Sequence, residues 1–247
     1  MNSKGNTSHV LLRYQNGEYL HSNPMWDSQD SPWKGALVEK LLKSKGLTPQ
    51  KICEVGCGAG EILLFLKDRF PQSVICGFDI SVDAERFWTN HNGRDVKYFR
   101  KDFIESGSER YDCILLLDVI EHLENPFAFL EKIRQRGKYF IFHIPLDLSA
   151  WSILRKNVLL KQRDKVGHIH FFTKDLALAL LREAGFNVIQ WNYTDAFFTA
   201  PNLGLITKGF SWIRWFALVF GRNFAARLLG GQTLLVLATI SSGNAEG

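Results

Sequence analysis

The stretch ICEVGCGAGEILLFL, residues 52–66, decides the fold of this chain. It predicts a short buried strand, a glycine-rich turn and the first turns of a helix. The turn alternates three glycines with two small residues: Gly56, Cys57, Gly58, Ala59 and Gly60. Because glycine has no Cβ and tolerates positive φ, a ligand can press against this backbone. A strand that enters a helix through such a turn is typical of the nucleotide-binding corner of a doubly wound α/β fold.

The glycine spacing differs from the dinucleotide fingerprint G-x-G-x-x-G, which places a pyrophosphate on the helix N-terminus. The third glycine comes one residue early, and Glu61 holds the position that the fingerprint gives to glycine. Acidic residues also stand at the predicted strand ends: Glu54, Asp79, Asp102 and Asp118. A rim of carboxylates repels pyrophosphate and favours a ligand with a positive sulfonium, an ammonium group and ribose hydroxyls. S-adenosylmethionine fits that description. Asp79 follows Gly60 by 19 residues, close to the spacing of about 20 at which an acid binds ribose hydroxyls.

Five motifs occur in an order that resembles the class I S-adenosylmethionine-dependent methyltransferases of the small-molecule type. They are E-V-G-C-G-A-G at 54–60, G-F-D-I-S at 77–81, D-V-I-E-H-L-E-N-P at 118–126, G-H-I-H-F-F-T at 167–173 and E-A-G-F at 183–186. The resemblance implies S-adenosyl-L-methionine as the cofactor and methyl transfer as the reaction. It does not identify the methyl acceptor.

The resemblance also implies which residues bind the cofactor. Glu54 orients the turn or reaches the amino group through water, and Asp79 binds the ribose or else caps the next helix. Asp102 and Phe103 face the adenine, and Asp118 lies beside the sulfonium. The full set is Glu54, Gly56, Cys57, Gly58, Gly60, Asp79, Ile80, Asp102, Phe103, Asp118, Val119 and His122. His122 has three interpretations: packing at the methionine end of the cofactor, contact with the acceptor, and a capping role before Pro126.

Strand and helix alternate along the chain, which predicts a parallel sheet with right-handed crossovers. The predicted strands are 51–55, 73–78, 96–100, 111–117, 138–144, 186–194 and 232–240, and the predicted helices are 33–45, 60–69, 82–91, 126–135 and 173–184. We expect an α/β fold with a doubly wound, mostly parallel seven-stranded sheet, helices on both faces and an antiparallel last strand. One methyltransferase domain covers 1–247, with a lid segment at 1–35, the core at 36–194, a hydrophobic aromatic insertion at 195–231 and the last strand at 232–240.

Histidines near the predicted strand ends are candidates for a general base, which is needed if the acceptor must lose a proton. His143 and His168 are the preferred catalytic residues, because they lie closest to the predicted mouth of the site. Asp147 and His170 are further candidates. A structural role is the alternative at each of these positions.

Aromatic residues outside the core predict an acceptor pocket. Trp26 and Trp33 stand ahead of the domain, and Trp212 and Trp215 lie in the insertion 195–231. Lys34 could bind the cofactor carboxylate. The alternative for the N-terminal segment is a helix packed on the sheet. The insertion could instead form a dimer contact, an interfacial membrane helix or a hairpin that covers the sheet. The basic run at 155–165 could hold an anionic acceptor or form a solvated loop.

Composition sets further bounds on the function. The net charge of +5 and the pI of about 9.0 describe a basic enzyme surface or a protein with an anionic partner. No C-x-x-C pair occurs among the four cysteines, which are Cys53, Cys57, Cys76 and Cys113. This pattern indicates reduced thiols in a cytoplasmic protein and no metal site. The chain shows no signal-peptide core and no apolar run of about 18 residues.

Three classes of function remain open. The leading one is a methyltransferase that acts on a small-molecule or lipid-like acceptor. The second is a non-catalytic S-adenosylmethionine-binding module, since a fold does not establish a reaction. The third is a nicotinamide-dependent oxidoreductase, which Glu61 and the carboxylate rim disfavour. No N-P-P-Y-type motif or dense basic-aromatic patch indicates nucleic acid. Protein methylation and a homodimer stay open.

Overall fold

A computed structural model describes residues 28–91, 93–194 and 219–241, together with Arg13, Asn16, Gly17, Leu20 and His21. The predicted acceptor residues Trp26, Trp212 and Trp215 lie outside the described residues. So do most of the predicted lid segment and all of the insertion before residue 219.

A seven-stranded sheet forms the centre of the molecule, with strand order β3-β2-β1-β4-β5-β7-β6. The strands are β1 Lys51–Val55, β2 Val74–Asp79, β3 Val96–Arg100, β4 Tyr111–Leu117, β5 Gly137–Leu146, β6 Phe186–Tyr193 and β7 Gln232–Ile240. The pairs among β1 to β5 are parallel, and β7 runs antiparallel between β5 and β6. The predicted fold class is therefore confirmed. The strand order reverses at β1, and ligands of doubly wound sheets bind at that switch point.

Helices cover both faces of the sheet, because alternate side chains of each buried strand point to opposite faces. The helices are α1 Ser31–Ser44, α2 Glu61–Arg69, α3 Glu85–Trp88, α4 Pro126–Ile133, α5 Ala150–Leu154, α6 Val158–Val166, α7 Lys174–Glu183 and α8 Arg222–Leu229. In β1, Ile52 faces the core packed by α1 and α2, and Cys53 faces the core packed by α4 and α7. Both hydrophobic cores thus converge on the strand that carries the glycine turn.

Most predicted elements match the structure, and the differences are local. The predicted helix 82–91 is only α3 followed by a 3-10 turn at Thr89–His91. The basic run at 155–165, for which a solvated loop was one alternative, lies mostly in helix α6, which follows the short helix α5. Helix α7 begins where the sequence predicts, because the side chain of Thr173 accepts a hydrogen bond from the amide of Leu176.

Candidate active site

A cavity of about 560 Å³ lies at the carboxyl ends of β1, β4 and β5. It is lined by most of the residues that the sequence singles out: Trp33, Glu54, Gly56, Cys57, Gly58, Asp79, Ile80, Asp118, Val119, His122, His143 and His168. These residues come from segments up to 135 positions apart. The parallel sheet brings them together because its strands end at one edge.

The glycine turn after β1 forms one wall of the cavity. Its amides at Gly56 and Cys57 donate to the carbonyl of Phe78, at 2.8 and 3.1 Å. Gly60 begins α2 with φ of 82°, and a Cβ there would lie 2.4 Å from the ring of Tyr98. Glycine is therefore required at this position for both the backbone angle and the contact.

Asp79, at the end of β2, fixes the turn from the other side. Its Oδ2 accepts from the amide of Gly58 and its Oδ1 from the amide of Ser81, both at 2.8 Å. Burial raises the pKa of Asp79, and the backbone hydrogen bonds oppose that shift. Helix α3 starts only at Glu85, with no side-chain cap, so Asp79 does not cap it. The ribose contact remains a prediction.

Glu54 lies at the base of the cavity and is 1% exposed. Its Oε2 has no hydrogen-bond partner among the described residues. Burial raises the pKa of Glu54 to about 8, although the ammonium of Lys34 lowers it; the charges of Asp79 and Asp118 raise it further. The group is thus mostly protonated at neutral pH and lines the cavity with unused hydrogen-bonding capacity.

Asp118 follows β4 and joins three elements. Its backbone adopts φ of 57°, which is uncommon for a residue with a side chain. Its Oδ2 contacts the ammonium of Lys34 at 2.7 Å, and its Oδ1 contacts Nδ1 of His143 at 2.6 Å. Burial alone would raise the pKa of Asp118, but the charges of His143 and Lys34 hold it well below its usual range. Lys34 therefore binds Asp118 in this structure.

His143 is fixed through both ring nitrogens. Nε2 contacts the hydroxyl of Thr233 at 2.8 Å, and that hydroxyl also contacts Thr194. The ring of Trp33 packs edge-on, with centroids 5.9 Å apart. His143 is 2% exposed, so its geometry suits the positioning of Asp118 better than direct contact with an acceptor. Its catalytic role remains a prediction.

A second group of polar side chains, centred on His168, lies beside the group formed by Asp118, Lys34 and His143. Nδ1 of His168 contacts Oδ2 of Asp147 at 2.6 Å. His122 lies edge-on to His168, with centroids 4.9 Å apart, and its Nδ1 contacts the carbonyl of Gly167 at 3.1 Å. Burial, followed by the charge of His168, lowers the pKa of His122 to about 4. Glu121 is completely buried, and its Oε1 lies 3.9 Å from Nε2 of His168.

A family model described as a methyltransferase domain matches residues 26–191. The chain belongs to this methyltransferase family. The resemblance given by the five motifs is thereby confirmed.

Curated relatives are also named as methyltransferases, and solved structures share the fold. A ubiquinone biosynthesis O-methyltransferase of Histophilus somni is 24% identical over 51% of this chain and 59% of its own length. The chain spans about half the length of the curated relatives it matches. The plantazolicin methyltransferase BpumL, solved with S-adenosylhomocysteine, has a TM-score of 0.61 at 16% identity, covering 94% of each chain. Magnesium protoporphyrin IX methyltransferase of Synechocystis PCC 6803 has a TM-score of 0.55 at 16% identity, covering 85% of this chain and 83% of its own.

Three of the predicted cofactor residues do not line the cavity: Gly60, Asp102 and Phe103. Oδ1 of Asp102 accepts from the amide of Ile104 at 2.7 Å and closes a turn. The ring of Phe103 is buried, with the guanidinium of Arg136 3.7 Å from its centroid. The side chain of Phe103 therefore belongs to the core. The adenine assignment of Asp102 and the backbone of Phe103 remains a prediction.

Glu121 and Thr233 lie next to the predicted histidines but were not among the site residues that the sequence predicts. Glu121 falls inside the quoted D-V-I-E-H motif, but only the 3-10 turn Ile120–His122 shows that it is buried. Thr233 lies at the start of β7, and no local pattern links it to His143, 90 residues earlier. A polar residue at a strand end beside the predicted mouth is the signal that could have identified Thr233.

Proposed function

We propose that the protein transfers a methyl group from S-adenosylmethionine to a hydroxyl oxygen of a small-molecule or lipid-like acceptor. One observation carries this proposal: a single cavity joins the glycine turn of β1 to the imidazole and carboxyl groups that follow β4 and β5. The first end suits a nucleoside cofactor, and the second suits an acceptor that must lose a proton.

The cofactor end offers complementary groups. The backbone of the glycine turn, Glu54 and Asp79 line the space beside the end of β1. We assign the ribose hydroxyls to Asp79 and the sulfonium to the region of Asp118, whose negative charge is maintained by Lys34 and His143. A carboxylate near the sulfonium favours binding of the positive cofactor over its neutral product.

The reaction is an in-line displacement at the methyl carbon. The acceptor oxygen forms the new C–O bond as the S–CH₃ bond breaks, and sulfur keeps the electron pair, which gives S-adenosylhomocysteine. The acceptor's hydroxyl proton must leave, and the group around His168 and Asp147 is the part of the cavity suited to that task. Much of the rate enhancement comes from holding the two reactants in line.

The O-methyl assignment is also supported by the relatives, several of which are named ubiquinone biosynthesis O-methyltransferases. A lipid-like acceptor is supported by exposed apolar side chains in the described end of the insertion: Phe220 is 64% exposed and Phe224 is 48% exposed. Arg222 lies between them. We extend the proposal to peripheral membrane contact through 195–231. No helix in the described part of the chain combines the length and hydrophobicity of a membrane span.

The remaining parts of the proposal concern location and partners. A cytoplasmic location is supported by four free, buried thiols. The acceptor is a small molecule and not a nucleic acid. A homodimer remains a proposal that sedimentation would test.

Calorimetry with S-adenosylhomocysteine and with NAD tests the cofactor assignment. We expect one S-adenosylhomocysteine per chain and no measurable NAD binding. The reverse result would exclude the proposal. Turnover of a screen of catechols, quinone precursors, sugars and fatty acids, read as S-adenosylhomocysteine release, then separates the enzyme from a non-catalytic binding module.

A further inference from the structure

The side chains of Trp88 and Tyr98 hold two carbonyls of the glycine turn, although neither side chain lines the cavity. Nε1 of Trp88, the last residue of α3, donates to the carbonyl of Gly58 at 2.9 Å. The hydroxyl of Tyr98, on β3, donates to the carbonyl of Gly60 at 3.1 Å. Neither residue is among the site residues that the sequence predicts, and both act on the turn from outside the cavity.

The two aromatic side chains are themselves held in place. Their rings stack with centroids 5.2 Å apart and planes 15° from parallel. The hydroxyl of Tyr98 has one proton, which it donates to the turn, so it accepts a hydrogen bond from Nδ1 of His91 at 3.1 Å. Nε2 of His91 contacts Oε1 of Glu61 at 3.2 Å. Glu61 replaces a glycine of the dinucleotide fingerprint, and its carboxyl group here supports the histidine that orients Tyr98.

One amide of the glycine turn remains for a ligand. Four of its five amides donate to acceptors in the described residues, and they belong to Gly56, Cys57, Gly58 and Gly60. The amide of Ala59 has no acceptor in that part of the chain. Ala59 is 4% exposed, and buried amides nearly always have a partner. It lines the cavity together with Glu54, whose Oε2 also has no hydrogen-bond partner among the described residues.

The hydrogen bond of Trp88 fixes the direction of this amide. The carbonyl of Gly58 and the amide of Ala59 belong to one trans peptide unit, which is planar, so the C=O and N–H bonds point in opposite directions. The indole holds the carbonyl, and the amide therefore points away from the indole. Gly58 has φ of 50°, and glycine tolerates a wide range of backbone angles. This peptide could therefore rotate easily if the indole did not hold it.

We propose that Trp88 is a positioning residue for cofactor binding. It holds the peptide between Gly58 and Ala59 so that the amide of Ala59 donates to an oxygen atom of S-adenosylmethionine. Tyr98 supports this role by stacking on the indole and by holding the next carbonyl of the turn. The inference rests on the proposed function, because the cofactor is the ligand that the amide would bind.

Calorimetry with S-adenosylhomocysteine and urea unfolding of the ligand-free chain test this role together. Trp88→Phe keeps an aromatic ring against Tyr98 but removes the N–H donor, and we expect the affinity to fall about 3–10-fold, as for the loss of one hydrogen bond. Trp88→Ala should bind as weakly as Trp88→Phe and should also unfold at a lower urea concentration. The phenylalanine should thus recover stability without recovering affinity, which a merely structural role of the indole does not predict.

Two further variants calibrate the result. Trp191→Phe is the matched control, because Trp191 packs edge-on against Tyr193 and does not line the cavity, and it should bind as the wild type does. Tyr98→Phe should lose less than threefold in affinity, because the amide of Leu64 also donates to the carbonyl of Gly60, at 3.3 Å. A larger loss in Tyr98→Phe than in Trp88→Phe would contradict the assignment to Trp88.

Equal affinity of the wild type and Trp88→Phe would overturn the inference. If that variant does not fold, the NMR spectrum of the wild type decides: the amide proton of Ala59 should move downfield at saturating S-adenosylhomocysteine, and an unmoved signal would overturn the inference. Wild-type protein that binds no S-adenosylhomocysteine would contradict the proposed function and this inference with it. Normal binding by the wild type with an unaffected Trp88→Phe would contradict the role of Trp88 alone.

Discussion

At the scale of single residues, burial sets the charge of the cavity more than the number of acids does. The carboxylate rim that the sequence predicts would carry several negative charges if every acid were ionised. In the structure, burial keeps Glu54 mostly protonated at neutral pH, while Lys34 and His143 keep Asp118 ionised. The ionised carboxylate nearest the expected sulfonium is therefore that of Asp118, which is paired with Lys34.

Glu54→Gln should make the stability of the ligand-free protein less dependent on pH. The pKa of Glu54 is raised from 4.5 to about 8 by burial, with Lys34, Asp79 and Asp118 as the charged groups facing it. Because the native state holds the proton more tightly, Glu54 lowers the free energy of unfolding as pH rises from about 4.5 towards 8, by at most about 1.4 kcal/mol per pH unit. The difference between wild type and variant, from urea unfolding at pH 5 and pH 8, should grow in favour of the variant. A constant difference would show that Glu54 titrates normally.

Asp79→Ala should weaken S-adenosylhomocysteine binding by about 1.5–3 kcal/mol, the range for hydrogen bonds to a charged group. The variant loses the proposed ribose contact and the bond that holds the amide of Gly58. Asp95→Ala is the control, since Asp95 is exposed and pairs with Lys67. Calorimetry measures both, and equal affinity of the two variants would remove Asp79 from the site.

At the scale of elements, the sequence predicts the structures that depend on residues close together in the chain. The β1–α2 corner follows from glycine spacing, and β4 follows from a continuous apolar run, because both depend on neighbouring residues. The surroundings of His143 depend on β7, which inserts between β5 and β6. No local pattern predicts that Thr233 meets Nε2 of His143, since the antiparallel pairing of β5 with β7 decides that contact.

Thr233→Val should destabilise the protein through the β5–β7 pair. The change keeps a β-branched side chain but leaves the buried Nε2 of His143 without its hydroxyl partner, which costs about 1–3 kcal/mol. On the same strand, Thr239→Val removes a hydroxyl that bonds the carbonyl of Lys138 at an exposed position, and it should cost at most about 0.5 kcal/mol. Urea unfolding distinguishes them, and similar losses would mean that His143 does not need Thr233.

At the scale of the whole molecule, one sheet edge collects chemistry from distant parts of the chain. The order of the motifs predicts that Glu54, Asp79 and Asp118 meet at the carboxyl ends of β1, β2 and β4, because parallel strands end at one edge. The pairing of Glu121 with His168 is not predictable in this way. It requires the segment after α6 to return to the turn after β4, and backbone hydrogen bonds fix that return.

Exposed aromatic rings at the described end of the insertion test whether a lipid-like acceptor reaches the cavity from a membrane. Phe220 and Phe224 place exposed rings 5.9 Å apart next to Arg222, a combination that favours an anionic membrane surface. The double substitution Phe220→Asp and Phe224→Asp should abolish cosedimentation with phosphatidylglycerol vesicles while leaving S-adenosylhomocysteine affinity unchanged. Val74→Asp, at the amino end of β2 and 54% exposed, is the control and should sediment as the wild type does. Wild-type protein that stays in the supernatant would instead mean that a lipid-like acceptor reaches the cavity from solution.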